Sequence, residues 1–215
     1  MSTNLTDDIT PNASLNSFDP RLLVMFAKAS YGDSCNNEII TGNTKTERMQ
    51  SVHAPLVELG TVDKKYTTAM EVACGNKMTH IVVDNEEAAA AAIELLLSSK
   101  AGRATFIPLN KIAKAPSNLN LPKDNRVIDF AINLVNFDNK YINAFYYAVG
   151  ETIVVENMEC TQKLIGKYRM VTLRGELFEK SGLITGGLHI RLGLSFKQNK
   201  DFAAGTMLFD VFQGC

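Results

Sequence analysis

Residues 62–87, VDKKYTTAMEVACGNKMTHIVVDNEE, and residues 137–159, FDNKYINAFYYAVGETIVVENME, follow one pattern. In each, an aspartate and a tyrosine precede a stretch that ends at a glycine, and an Ile-Val-Val run with an acidic turn follows. Matches at one fixed offset are the signature of an internal repeat, so the chain is predicted to contain two related lobes. Five positions recur at an offset of 75, namely Asp63, Tyr66, Ala69, Ala73 and Gly75 as Asp138, Tyr141, Ala144, Ala148 and Gly150.

Each lobe is predicted to combine helices with short strands. In the first lobe, Asp63 stands where a helix N-cap is expected and Gly75 where that helix ends. Residues 79–83 are typical of a β-branched strand, an alanine-rich helix follows, and residues 101–109 form a strand closed by a proline. The second lobe is expected to repeat this order, including a second helix before an arginine-led strand, YRMVTLRG, at 168–175.

The distribution of polar and apolar segments predicts the domain boundaries. The fold class is predicted to be α+β, with two related lobes of helices and short strands. Polar segments rich in Asn, Ser and Pro separate or flank the apolar ones. The predicted units are a poorly ordered or atypical N-terminal extension at 1–50, lobe one at about 51–112, a linker at 113–124, lobe two at about 125–195, and an atypical C-terminal tail at 196–215.

The composition is that of a globular protein without a strong overall charge. Hydrophobic residues make up 46 % of the chain and the net charge is −1, which excludes a disordered or strongly basic class. No N-terminal signal pattern is present, and the longest apolar run is too short to span a bilayer. We therefore expect a cytoplasmic protein with no membrane contact, whose four widely spaced cysteines stay reduced.

One segment departs from this neutral balance. Between residues 160 and 200 there are eight basic residues and two acidic ones. Such a segment is either a modest DNA-facing patch or a solvated face whose acidic partners lie elsewhere in the fold. The candidate DNA-contacting residues are Lys163, Lys167, Arg169, Arg174, Lys180 and Arg191.

The motifs that usually carry chemistry are missing from this sequence. The three histidines, His53, His80 and His189, have no metal-ligand spacing. Ser181 lies outside any G-x-S-x-G elbow, and no G-x-x-x-x-G-K-[ST] phosphate-binding loop occurs. We therefore predict no catalytic residue, metal, cofactor or small-molecule substrate. A small α/β enzyme of unknown type remains the alternative that a pocket with converging titratable groups would support.

Several long phrases, in this order, resemble the hinge domain of SMC (structural maintenance of chromosomes) proteins. The first is VHAPLVELGTVDKKYTTAMEVACGNKMTHIVVDNEEAAAAAIELL at 52–96, and AGRATFIPLNKI at 101–112 resembles the most recognisable strand and turn of that family. FDNKYINAFYYAVGETIVVENMECTQKL at 137–164 resembles its second half, and MVTLRGELFEKSGLITGG at 170–187 resembles its end. Long phrases in a fixed order are more specific than a single motif.

The resemblance implies a structural role in which two hinges pair the edge strands of their lobes into a ring. It places a dimer interface at Ser181, Gly182, Thr185, Gly186 and Gly187, where glycines let a second backbone approach closely. From the residues alone, the same segment also fits a glycine-rich hairpin turn within a monomer. The implied partner is a second copy or a related SMC hinge, with weak DNA contact as a further role and a chromosome-associated location in the cytoplasm.

The resemblance covers a hinge alone. The ATPase motifs of a full-length SMC protein and sustained coiled-coil heptads are absent from the sequence, so no enzymatic activity is expected. The sequence leaves open whether the chain is a fragment or a free-standing protein, and a free-standing nucleic-acid-binding module that uses residues 160–200 is the alternative function.

Overall fold

The computed structural model describes residues 51–99, 102–124, 126–188 and 194–198. The predicted N-terminal extension at 1–50 and residues 199–215 of the predicted tail lie outside this range. Within it, the α+β class is confirmed, because short strands and helices alternate along two lobes.

Lobe one folds around a small mixed sheet. Its strands are ordered β1-β3-β4, with β1 antiparallel and β4 parallel to β3. The predicted alanine-rich helix packs on this sheet through Ala88, Ala92 and Leu96, which are buried against Ile81 and Val83. The elements are β1 (Val52–Pro55), β2 (Gly60–Val62), α1 (Thr67–Cys74), β3 (Ile81–Val83), α2 (Glu86–Ser99) and β4 (Phe106–Pro108), with 3-10 turns at Leu56–Glu58, Lys64–Tyr66 and Gly75–Thr79.

Lobe two repeats this plan and extends it by two strands. Its sheet runs β10-β9-β8-β7-β5, in which only the β7–β8 pair is parallel. The elements are β5 (Val127–Phe130), β6 (Val135–Phe137), α3 (Ile142–Val149), β7 (Ile153–Val155), β8 (Met170–Thr172), β9 (Leu177–Phe178), β10 (Ile184–Thr185) and β11 (Lys197–Gln198), with 3-10 turns at Ala131–Leu134, Asn139–Tyr141 and Met158–Cys160.

The predicted repeat is real, with one exception. The helices α1 and α3 occupy matching positions and end at Gly75 and Gly150, whose φ angles are 55° and 56°. The prediction of a second helix in lobe two was wrong. A 3-10 turn at Met158–Cys160 and further turns stand where lobe one has the 14-residue α2. Residues 161–168, TQKLIGKY, lack the alanine run of α2 and contain Gly166 at φ 79°, so helix propensity there is low.

The two lobes join through their equivalent strands. β2 of lobe one pairs antiparallel with β6 of lobe two, and Gly60 faces Phe137 in this pairing. A Cβ at Gly60 would lie 2.7 Å from Val135 Cγ1 and 2.8 Å from Phe145 Cζ. A glycine therefore permits the close approach of the lobes, which share one hydrophobic core.

The chain returns to lobe one after the glycine-rich segment. β11 adds to β2 in parallel, and the Phe196 side chain is buried in the shared core. Gln198 Nε2 donates a hydrogen bond to Thr67 Oγ1 at 3.2 Å. Residues 196–198, which the sequence analysis assigned to an atypical tail, therefore contact lobe one.

Candidate dimer interface

The predicted interface segment forms the outer edge of the larger sheet. β10 pairs antiparallel with β9, as Ile184 opposite Phe178 and Thr185 opposite Leu177. In the described part of the chain no other strand pairs with β10. Its second side therefore presents free backbone groups, which is the condition for adding a strand from another chain.

Large apolar side chains line this edge and stand in solvent. Leu183, Ile184 and Leu188 are 68 %, 56 % and 90 % exposed. Contiguous exposed apolar residues on a folded domain usually mark a surface that another molecule covers. Sequence reasoning singled out Ser181, Thr185 and the glycines and missed these three residues, although Leu183 and Ile184 stand between those glycines and Leu188 follows them.

The glycines shape the turn before and after β10. The Gly182 amide donates to the Glu179 carbonyl at 2.9 Å, and the Glu179 amide donates to the Leu183 carbonyl at 2.9 Å, which closes the hairpin. Gly182 and Gly187 have φ angles of 89° and 120°, in the region that side chains disfavour. At Gly186 a Cβ would lie 3.4 Å from Glu176 Cγ. Ser181 lies in the same exposed turn.

The alternation of an antiparallel ladder decides which backbone groups face outward. Because Leu183 bonds Glu179 of the neighbouring strand, Leu183 and Thr185 face β9. Ile184 and Gly186 consequently direct their amides and carbonyls away from the sheet. One of the predicted interface glycines thus lies on the outer backbone edge, beside the exposed Ile184 side chain.

Lobe one offers a matching open edge at β4. Ile81 donates to the Thr105 carbonyl and Leu109 to the Val83 carbonyl, both at 2.9 Å, so the backbone of Phe106 and Pro108 faces away from β3. β4 corresponds to β8, which β9 covers in lobe two. No strand covers that side of β4 among the described residues of lobe one.

Five of the six candidate DNA-contacting residues are described, and they are in three different situations. Lys163, Lys167 and Arg174 are exposed and in no ion pair with another described residue. Lys180 is exposed but lies 3.2 Å from a Glu151 carboxylate oxygen. The Arg169 guanidinium is bonded within the protein, and Arg191 lies outside the described residues. The described members of the predicted set thus differ in how far their charges are already bonded within the protein.

Lys180 also belongs to a small network beside the interface segment. The Tyr146 hydroxyl lies 3.5 Å from a Glu151 carboxylate oxygen, and burial together with that carboxylate raises the pKa of Tyr146. The network ties the hairpin turn between β9 and β10 to the end of α3. Tyr146 also lines a crevice of about 440 Å³ between the linker and lobe two, which contains a single carboxylate, that of Asp129. Asp129 and Tyr146 are the titratable side chains among the residues that line it.

Two further features of the described residues bear on the kind of site. They contain no cluster of three or more His, Cys, Asp or Glu side chains able to hold a metal ion. No helix formed by them is long and apolar enough to cross a bilayer. The Cys74 thiol is free and buried, and its burial raises its pKa to about 12.

Comparison with known proteins identifies this arrangement. The model of the SMC protein flexible hinge domain matches residues 49–165, which is more than half of the chain. The chain belongs to the SMC hinge family. The chromosome partition protein Smc of Gloeobacter violaceus is 45 % identical over 139 residues, a match that covers 65 % of this chain and 12 % of that protein. This SMC hinge domain therefore spans about an eighth of the length of the curated relatives it matches.

Solved structures show the same hinge fold. The SMC hinge of Geobacillus stearothermophilus, solved as an asymmetric dimer, aligns with a TM-score of 0.59 at 30 % identity, covering 80 % of this chain and 74 % of that one. The hinge domain of the Pyrococcus furiosus SMC protein aligns with a TM-score of 0.57 at 35 % identity, covering 86 % of this chain and 98 % of that one. These likenesses agree with the two-lobed architecture described above.

Proposed function

We propose that this hinge domain joins two SMC-type chains by dimerising through the free edge of β10. The single observation that supports this most directly is the exposed Leu183 and Ile184 on a strand whose outer backbone is unpaired. Pairing would bury these side chains and satisfy the free amides and carbonyls together. The dimeric state of the Geobacillus stearothermophilus hinge lends further support.

The two open edges suggest how the copies meet. β10 of one copy would pair with the open edge of β4 in the second copy. In lobe two, β9 occupies the corresponding position beside β8. A two-fold axis would make the reciprocal contact at the same time, so that two identical junctions close a ring. The exposed Gly186 backbone and the absence of side chains at Gly186 and Gly187 favour this close approach.

In a full-length parent, this dimer would link two arms and their ATPase heads around DNA. Several curated relatives are chromosome partition proteins, and the chain corresponds to 12 % of the length of one of them. The proposed work is mechanical closure on the chromosome in the cytoplasm, with no reaction of its own. The partner is a second copy of this chain or a closely related hinge.

The mass of the purified chain across a dilution series tests the proposal. The monomer is 23.6 kDa, and light scattering is expected to give twice that mass. An Ile184→Asp substitution places a charge on the free edge and is expected to yield a folded monomer. Ile93→Asp is the matched control, because Ile93 is 45 % exposed on α2 and away from β10. Dimers that survive Ile184→Asp as well as Ile93→Asp would contradict the assignment.

Weak DNA contact is a second candidate function. Lys163, Lys167 and Arg174 are exposed and unpaired by acids among the described residues, so their charges are free to meet phosphates. If they do, affinity for duplex or single-stranded DNA falls steeply with salt, and the slope decreases by about one for each lysine or arginine removed. A triple alanine variant with an unchanged salt slope would remove this role.

A further inference from the structure

Arg169 connects three parts of the molecule. Its Nε atom donates to the Glu179 carboxylate at 3.0 Å and 3.2 Å. Its Nη1 atom donates to the Ala73 carbonyl at 3.0 Å and to Thr152 Oγ1 at 2.6 Å. Ala73 is at the end of α1 in lobe one, whereas Thr152 and Glu179 belong to lobe two. One guanidinium therefore holds a helix end, a strand start and a hairpin together.

The repeat shows that this contact is more than a helix cap. In lobe one, Lys77 performs the equivalent capping, since its Nζ atom donates to the Tyr147 carbonyl at 3.0 Å and to the Ala148 carbonyl at 3.4 Å at the end of α3. Ala148 is the repeat equivalent of Ala73. Each lobe thus caps the central helix of the other, but only Arg169 also reaches the hairpin.

Glu179 is the point at which this contact meets the interface. Its amide bonds the Leu183 carbonyl, and its carbonyl accepts from the Gly182 amide, both at 2.9 Å. These two bonds define the turn that presents β10. The Glu179 backbone is thus used within the hairpin, which leaves its carboxylate to anchor the turn to the rest of the domain. Among the described residues, Arg169 binds that carboxylate.

We propose that Arg169 is a positioning residue that fixes the direction of the β10 edge by tying its hairpin turn to the end of α1. The inference rests on the proposed dimerisation through β10. A hairpin held in its binding orientation has less conformational freedom to lose when a partner strand adds to it. Arg169 was predicted from the sequence to contact DNA, and its Nε and Nη1 donors are bonded within the chain.

The test compares two substitutions that each remove one positive charge from an interlobe contact. Arg169→Met and Lys77→Met each delete one interlobe helix cap, but only Arg169→Met releases the hairpin. Sedimentation equilibrium is expected to show a dimer dissociation constant about tenfold higher for Arg169→Met. Lys77→Met is expected to stay within about twofold of wild type. Hydrogen exchange at residues 177–185 in monomeric protein should rise for Arg169→Met alone.

Glu179→Gln is a second variant for the case in which Arg169→Met does not fold. It weakens the bond between Arg169 and residue 179 but leaves the bond from Arg169 to the Ala73 carbonyl in place. It is expected to raise the dissociation constant in the same direction, and Arg169→Lys is expected to recover part of the affinity. A monomeric wild type would overturn the proposed dimerisation itself. A dimeric wild type with Arg169→Met and Glu179→Gln at wild-type affinity would overturn the positioning role alone.

Discussion

At the scale of single residues, Gly60 controls the approach of the two lobes. We expect Gly60→Ala to destabilise the domain by about 1–3 kcal/mol, the usual cost of overpacking a close contact. The physical reason is that a Cβ would lie 2.7 Å from Val135 Cγ1, so β2 and β6 would have to separate. Urea unfolding measures the change.

The matched control is Gly166→Ala. Gly166 has a φ angle of 79°, and nothing lies within 4 Å of a Cβ built there. Its substitution carries the backbone cost of a left-handed residue, about 1 kcal/mol, without a clash. A Gly60→Ala variant as stable as wild type would contradict this expectation, because it would mean that β2 and β6 can move apart at little cost in free energy.

Glu86 provides a pH-dependent contribution to stability at the start of α2. Hydrogen bonds from Lys111 and then Asn110 lower the pKa of Glu86 from 4.5 to about 2. Because the folded pKa is the lower one, the contribution is complete above about pH 4.5 and disappears as the pH falls through about 2. We expect Glu86→Gln to be less stable than wild type at pH 6, with the difference closing near pH 2.

Urea midpoints measured across that range check this expectation. Glu87→Gln, one residue further along the same helix turn, removes an exposed charge without those hydrogen bonds. The difference in urea midpoint between Glu87→Gln and wild type should therefore change less with pH. A Glu86→Gln difference that stays constant from pH 6 to pH 2 would contradict the role of the ionised carboxylate.

At the scale of elements, β11 stabilises the domain through one aromatic side chain. We expect Phe196→Ala to cost about 3–5 kcal/mol, because Phe196 is 3 % exposed in the core shared by the lobes. Lys197→Ala, on the exposed part of the same strand, should change stability by less than about 0.5 kcal/mol. Thermal unfolding of both variants decides whether residues 194–198 belong to the folded domain.

How much of the fold was predictable also differs between elements. Gly75 and Gly150 marked the ends of both central helices, because glycine ends act locally. The N-cap predicted at Asp63 was wrong, since Asp63 makes no side-chain cap bond and a 3-10 turn precedes α1, which begins at Thr67. The prediction of a second helix in lobe two was wrong. It rested on the acidic turn after the strand, which resembles the start of α2, but residues 161–168 do not continue a helix. β11 was missed because its pairing with β2 spans the whole domain and leaves no local pattern.

The position of the interface stays a prediction, whereas the exposure of its segment is a finding. The phrase SGLITGG at 181–187 was placed at the interface by resemblance, and the structure finds that phrase exposed on an edge strand. The exposure of Leu183 and the internal bonding of Arg169 depend on which strands pair. Charge counting along the sequence could not separate Arg169 from Lys163 and Lys167, because it contains no information about distant partners such as Ala73.

At the scale of the whole molecule, the two lobes are expected to unfold together. They share one hydrophobic core and one interlobe strand pair, β2 with β6. Calorimetry should therefore give a single transition whose calorimetric and van't Hoff enthalpies agree at a fixed protein concentration. Residues 51–124 alone should not fold, because Gly60 and α1 would lose their packing partners. Two resolved transitions would show that the lobes are independent domains.

The unlike free edges of the two lobes carry a risk of polymerisation. A chain with a donor strand at one end and an acceptor strand at the other is able to add copies indefinitely, as in a filament, unless the angle between the two edges brings the second contact back to the first copy. Closure after two copies is thus a geometrical property, set by the β2–β6 junction and the anchoring of the hairpin turn. Substitutions that alter that angle without weakening either edge would turn a closed pair into open, concentration-dependent polymers.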